Sequence, residues 1–287
     1  MMPVGVGIDP DQGLSQADEL RVVRLAAELG YESAWTNAGP DAAAFERCRG
    51  WHLASGLPVG ISAVPAPGQP PAFYADHARQ LWELTGGHFT LVVGSGLLSQ
   101  PAKKMPAYLG ELRTLLPAGA PLYLAALGPL MLTLAGELSD GVALNWCSPK
   151  QVAWSRQLLV DAAHAAGRST PRIVEYIRTA VDPDPQLARR TVGAAAVRYA
   201  QMPPYRRHFE RMGVAPELQR LERSKSPPSP ELVAAIGAAG APGATRANFE
   251  RLATGLDLPI VRVVVTERGD FESARRVLEE CAPDSPR

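Results

Sequence analysis

Six places along the chain put small, hydroxylated or amide-bearing residues directly after a short apolar run. They are Asp9, Asn37, Ser62-Ala63, Gly94-Ser95-Gly96, Leu127-Gly128 and Asn145-Trp146-Cys147-Ser148. Glycine lets a ligand approach the backbone closely, and the free N–H groups at a helix start attract phosphate. Helices opening at Gly128 and Ser148 follow consecutive strands, so their starts could share one phosphate-bearing ligand. Asp9 offers a carboxylate for proton transfer or substrate binding, although Asp-Pro also starts turns. Asn37 offers an amide to a ring or a carbonyl, with a turn role as the alternative. Trp146 could wall a pocket or fill core, and Cys147 reads as a small buried residue.

Other chemistries lack their residues. The four lysines (Lys103, Lys104, Lys150 and Lys225) fall outside every predicted strand, against a Schiff-base aldolase. The five histidines show neither HxH nor HExxH spacing, so no metal site is expected. No GxSxG elbow occurs. Glu175 sits mid-strand in RIVEYIRTA, where a charge demands a partner; Arg178 or Arg172 is expected to supply it. The cluster Tyr205, Arg206, Arg207 and His208 could reach an anionic ligand, with a solvated basic helix face as the default reading.

The elements that must position these residues are legible around Pro121–Pro149. Pro121–Ala126 is a buried strand, Gly128-Pro129 opens a helix that Asp140-Gly141 ends, and Gly141–Trp146 is a second strand. Ser148-Pro149 starts the next helix. Thr114–Gly136 is uncharged, but Pro117, Pro121 and Pro129 punctuate it, so it is strand plus helix and no membrane span. Strands are also expected at Val4–Ile8, Ser33–Thr36, Pro58–Ser62, Phe89–Val93, Arg172–Val181 and Ile260–Thr266. Eight βα units predict an α/β fold, the (β/α)8 or TIM barrel, as a single domain over 1–287. An open doubly wound sheet is the alternative, but GVGID after strand one lacks the dinucleotide fingerprint. A helical insertion of about 182–255 separates strands seven and eight, with RSKSPPSP (223–230) as a mobile surface loop.

Lysine plus arginine balances aspartate plus glutamate at 29 each, which argues against nucleic-acid or membrane partners. Three widely spaced cysteines give no disulfide framework, and MMPVGVGIDPDQG is no signal peptide, so a cytoplasmic setting is expected.

The string YLAALGPLMLTLAGELSDGVALNW resembles the βαβ core of the luciferase-like flavin and deazaflavin oxidoreductases, especially their coenzyme F-420-dependent branch. ELGYESAW, LTGGHFTLVVGSG, PPYRRHFERMG and AAIGAAGAPGATRANFERL extend the likeness over most of the chain. The resemblance implies a TIM-barrel monooxygenase or reductase moving a hydride between coenzyme F-420, or alternatively FMN, and a small-molecule substrate. It places the cofactor ring in the barrel mouth, with a non-prolyl cis peptide near Ser62-Ala63. The phosphate end would lie against Gly94–Gly96, Leu127-Gly128 and Asn145–Ser148. Three departures stand out. Ala38 replaces the ionisable residue of WxxE, Gly86-Gly87-His88-Phe89 replaces GGRF, and only about ten residues (Leu97–Pro106) follow strand four, predicting a wide mouth. A non-catalytic family member acting in binding or homodimer pairing is the rival reading. An isomerase or lyase for a phosphorylated substrate is a third.

Overall fold

A computed structural model describes residues 2–224 and 227–283. Parallel strands β1 (Gly5–Gly7), β2 (Ser33–Thr36), β3 (Val59–Pro65), β4 (Phe89–Gly94), β5 (Leu122–Ala125) and β6 (Gly141–Asn145) pair in sequence order. β7 (Arg172–Val181) pairs with both β6 and β9 (Leu258–Val263), and β9 pairs with β1. The sheet therefore closes into the expected (β/α)8 barrel. The short strand β8 (Ala238–Gly240) adds to the outer half of β7.

The outer ring starts with α1 (Gln16–Glu28), α2 (Ala43–Ser55), α3 (Pro71–Leu84), α4 (Pro101–Leu115), α5 (Pro129–Leu138) and α6 (Pro149–Ala165). Ser15 caps α1 by accepting the Asp18 N–H, and proline opens α3, α4, α5 and α6 where no N–H is needed. The insertion contributes α7 (Pro185–Ala200), α8 (Pro203–Met212), α9 (Ala215–Ser224), α10 (Pro230–Ile236) and α11 (Arg246–Leu252); α12 (Phe271–Glu280) follows β9.

Several sequence boundaries need correction. α4 begins at Pro101 and carries Pro106 inside it, so only residues 95–100 separate it from β4. β9 starts two residues before the expected strand, because Pro259 reads as a break yet sits within the ladder. α9 and β8 were not foreseen in the insertion. Of RSKSPPSP, Lys225 and Ser226 lie outside the described residues; Arg223 and Ser224 close α9 and Ser229 caps α10.

The barrel interior is filled by size complementarity. Trp35, Tyr123, Tyr176, Val174, Leu258 and Ile260 form one inward cluster. Bulk from β2 and β5 is taken up by glycines opposite. A Cβ on Gly60 would overlap the Trp35 ring, and one on Gly141 would overlap Tyr123. Gly60→Ala should therefore destabilise the chain by about 1–3 kcal/mol through overpacking. Urea unfolding checks this; an unchanged midpoint would show that Trp35 has room to move.

Candidate active site

Alternation along the strands sends Val174, Tyr176 and Arg178 of β7 into the barrel, and Leu258, Ile260 and Arg262 of β9 likewise. Register pairs Gly7 with Arg262, so Asp9, one pleat further on, reaches the same level. Arg262 is 2% exposed and donates Nε–H to Asp9 Oδ2, with a second guanidinium contact to Oδ1. Its guanidinium lies 4.0 Å from the centre of the Tyr176 ring, and Tyr176 donates its O–H to Thr36 O at 3.2 Å. Burial pushes the Arg262 guanidinium down to about 9, which still leaves it a cation at neutral pH. Asp9 thus stands at the mouth as expected, but it is no free acid–base group. Its carboxylate is committed to a buried cation.

Arg178 is buried too, 4% exposed, and has no carboxylate partner among the described residues. Nη1 donates to Asn145 Oδ1 at 2.5 Å, and the guanidinium stacks 3.8 Å from the Trp146 ring and 4.6 Å from Tyr199. Cation–π contact is what holds this charge. Asn145 in turn donates to Tyr205 Oη at 2.8 Å. Glu175 does not pair with Arg178: three residues apart on a strand, they point to opposite faces. Glu175 accepts the Cys147 N–H at 2.6 Å instead, and its Oε2 has no partner.

Asp9, Asn37, Arg178, Arg262 and the α7 residues Arg198 and Tyr199 border a cavity of about 430 Å³ at the C-terminal strand ends. Of the residues singled out from sequence, Asp9 and Asn37 line it. Trp146 does not. Its backbone is left-handed (φ +59°), and its ring is packed against Tyr199 and Phe209 at 5.4 and 6.0 Å. Its carbonyl accepts from His208 Nε2 at 2.8 Å, and burial lowers His208 to about 4, so the ring is neutral. Tyr205 and His208 therefore face inward, whereas Arg206 and Arg207 are solvated. Burial also pushes the Cys147 thiol up, which makes it inert.

The remaining residues lie on the other side of the mouth. The Ser62–Ala63 peptide is cis, where the resemblance placed it. A Cβ on Gly94 would lie 3.4 Å from Ala63 Cβ, so these strand ends abut; Ser95 is half-buried, and Gly96 is an exposed turn residue at φ +51°. The two expected helix starts differ. Ser148 Oγ already accepts the Gln151 N–H at 3.3 Å, and Cys147 N–H is spent on Glu175. Gly128 caps α5 with no side-chain bond, and a Cβ there would meet nothing within 4 Å. Beside it, Arg211 of α8 donates to Leu127 O at 2.8 Å. Sequence reasoning missed Arg211 and Arg262 and gave Arg178 only as a partner for Glu175; Arg262 carries a signal, a lone charge within PIVRVVV. Among the described residues, no group of three or more His, Cys, Asp or Glu could hold a metal, and no helix is long and apolar enough to cross a membrane.

Asp9→Asn should leave Arg262 buried without its counter-charge and cost about 3–5 kcal/mol. The pair Asp9→Asn with Arg262→Met should recover part of that loss in a double-mutant cycle of urea unfolding. Strict additivity would mean the two groups do not interact. A second outcome concerns pH. Burial raises Glu175 from 4.5 to about 8, so folding takes up a proton between those values. Its contribution is full below about 4.5 and is lost as pH rises toward 8. Glu175→Gln should gain stability relative to wild type from about pH 5 to pH 8. Parallel stability curves for the two proteins over that range would refute the assignment.

Residues 99–253, more than half of the chain, match the model of the luciferase-like monooxygenase family. A 5,10-methylenetetrahydromethanopterin reductase from Archaeoglobus fulgidus is 28% identical over 153 residues, 42% of this chain and 46% of that one. Its counterpart from Methanolobus tindarius is 37% identical over 71 residues, 24% of this chain and 22% of the relative. The chain thus spans about half the length, or less, of the curated relatives it matches. Among solved structures, the coenzyme F-420-dependent tetrahydromethanopterin reductase of Methanopyrus kandleri superposes with a TM-score of 0.74 at 18% identity, covering 96% of this chain and 97% of that one. An FMN-bound type II Baeyer–Villiger monooxygenase component from Pseudomonas putida gives 0.66 at 15% identity over 99% of both chains. At such identities the superpositions speak for the fold, and it is the family match that decides descent: the chain belongs to the luciferase-like monooxygenase family.

Proposed function

We propose that this protein is a deazaflavin- or flavin-dependent oxidoreductase that transfers a hydride between the cofactor ring and a small organic substrate. Coenzyme F-420 is the favoured cofactor and FMN the alternative. The observation that carries this reading is the open start of α5, with uncapped Gly128 beside the Arg211 guanidinium. An uncapped helix start next to a cation suits the phosphate that both cofactors carry.

The bound ring supplies the hydride chemistry. Leu127, Gly128 and Arg211 would hold the phosphate end, and Gly94, Ser95 and Gly96 would border it. Ser62, Ala63 and Asn145 would border the ring. Ser148 and Trp146 act indirectly, one as the cap of α6 and the other as the platform under Arg178. Asn37 offers its amide to ring or substrate. Asp9 acts as a positioning residue for Arg262 and not as the proton donor. Asp11, which is exposed, is the second carboxylate that borders the cavity. The short 95–100 segment supports a wide mouth and weak cofactor retention on dilution.

Titration of the cofactor-free chain by absorbance tests this. Gly128→Asp should weaken binding about tenfold or more, roughly 1.4 kcal/mol, by adding a negative charge where the phosphate sits. Arg211→Ala should act in the same direction, whereas Ser148→Ala should change binding little. Unchanged affinity in Gly128→Asp would move the phosphate elsewhere. A wild type that binds neither cofactor and reduces no carbonyl acceptor would favour a binding or subunit-pairing protein.

A further inference from the structure

The formal charge of the whole chain is zero, yet the cavity at the mouth is strongly cationic. Arg178, Arg190, Arg198, Arg262 and Arg268 border it, against Asp9 and Asp11, an excess of three positive charges (five less two). Asp9 neutralises Arg262, and exposed Arg190 meets Asp184 at 3.3 Å, a contact of little strength in solvent. Arg178, Arg198 and Arg268 have no ion pair among the described residues. The case of Arg178 is the informative one. It is 96% buried (4% exposed), it stacks on two aromatic rings, and one of its five N–H donors is used by the protein, on Asn145. Burying a guanidinium without a carboxylate is costly unless an anion completes it.

We propose that this cavity binds the anionic group, carboxylate or phosphate, of the enzyme's own substrate, with Arg178 on its floor and Arg198 and Arg268 at its rim. The proposal deepens the oxidoreductase reading and rests on it for the word substrate. The planar fork of arginine suits either anion, and a volume of about 430 Å³ admits a small organic acid or phosphate ester. Val264 and Ala195 line the same space, giving the carbon skeleton an apolar surface. Several like charges in one cleft also raise the local anion concentration and speed capture, an effect that salt weakens. The cradle suggested for the cofactor phosphate, at Leu127-Gly128 and Arg211, involves none of the residues that border the cavity. Two separate anion sites then fit one cofactor and one acidic substrate.

The test is calorimetric titration of the full chain with inorganic phosphate and with succinate, using succinamide as the uncharged control, in cofactor-free and cofactor-loaded protein. At least one anion should bind and succinamide should not. Whichever of the two binds tells phosphate from carboxylate. Arg198→Ala, an exposed change that leaves the core intact, should weaken binding about tenfold, and Arg178→Met by more. Arg275→Ala on α12 should change nothing. With turnover, an acidic acceptor should show raised KM and little altered kcat in Arg198→Ala, while a neutral acceptor shows neither. Binding of neither anion overturns the proposal, as does displacement of the anion by the cofactor, which would assign the cavity to the cofactor's own tail. Anion binding by a chain that takes up no cofactor would sustain the anion site and overturn the oxidoreductase reading instead.

Discussion

The two-residue alternation of β7 governs this molecule. β7 is the strand that closes the barrel, pairing with β6 on one side and β9 on the other. Its even-numbered residues Val174, Tyr176 and Arg178 turn inward, while Ile173, Ile177 and Val181 join the outer core against the helices. A slip of one residue would exchange the two sets, placing Glu175 in the mouth and Arg178 behind the sheet. That alternation puts a cation at the centre of the site. It also leaves Glu175 on the outer face, where a backbone N–H is its hydrogen-bond donor and burial keeps its proton on near neutrality.

The insertion is tied to that cation. Arg178 lies against Trp146, the residue after β6, and Tyr199 from α7, and Tyr199 meets Tyr205 of α8 edge-on at 4.7 Å. Trp146 adopts a left-handed backbone that costs a bulky residue about 1–2 kcal/mol. The ring contacts, and the His208 bond to its carbonyl, hold it there. Barrel and insertion thus share a polar and aromatic seam built around one guanidinium. α7 and α8 then wall opposite sides of the mouth: Arg198 and Tyr199 face the cavity, and Arg211 reaches the start of α5.

The fold was legible because the barrel repeats one pattern, a short apolar run followed by a helix, with proline opening α3 to α6 and glycine at or just past the ends of α1, α2, α3 and α6. β2 and β7 coincide with the expected spans, and the other barrel strands shift at one or both ends. Misreadings gathered where proline sits inside an element, at Pro106 in α4 and Pro259 in β9. Local propensity reads proline as an end, but packing kept both elements going. The site was less legible. Asp9 and Asn37 could be placed at the mouth because each ends a strand, but the bond that ties up Asp9 comes from a residue 253 positions away. Ser148 illustrates a second limit: a serine before a helix is both a good cap and a good phosphate ligand, and its cap bond to Gln151 engages it in the first role.

Charge was the hardest property to read. A balanced composition argues against a bulk attraction to polyanions. It says nothing about how the charges are distributed. Here the arginines of the cavity come from β7, α7, β9 and the segment after β9, stretches separated by up to 90 residues (178 to 268). The stretch 187–213 is rich in arginine, but Arg262 and Arg268 lie far from it in sequence, and only closure of the barrel brings the five to one place. A neutral chain can therefore present a cationic cleft, provided that cation–π contacts and a single buried carboxylate offset the cost of gathering the charges. Aromatic side chains just after β6, within β7 and near the end of α7 are thus the condition for an arginine-lined mouth, and Trp146 and Tyr176 matter to the site through the cations they carry.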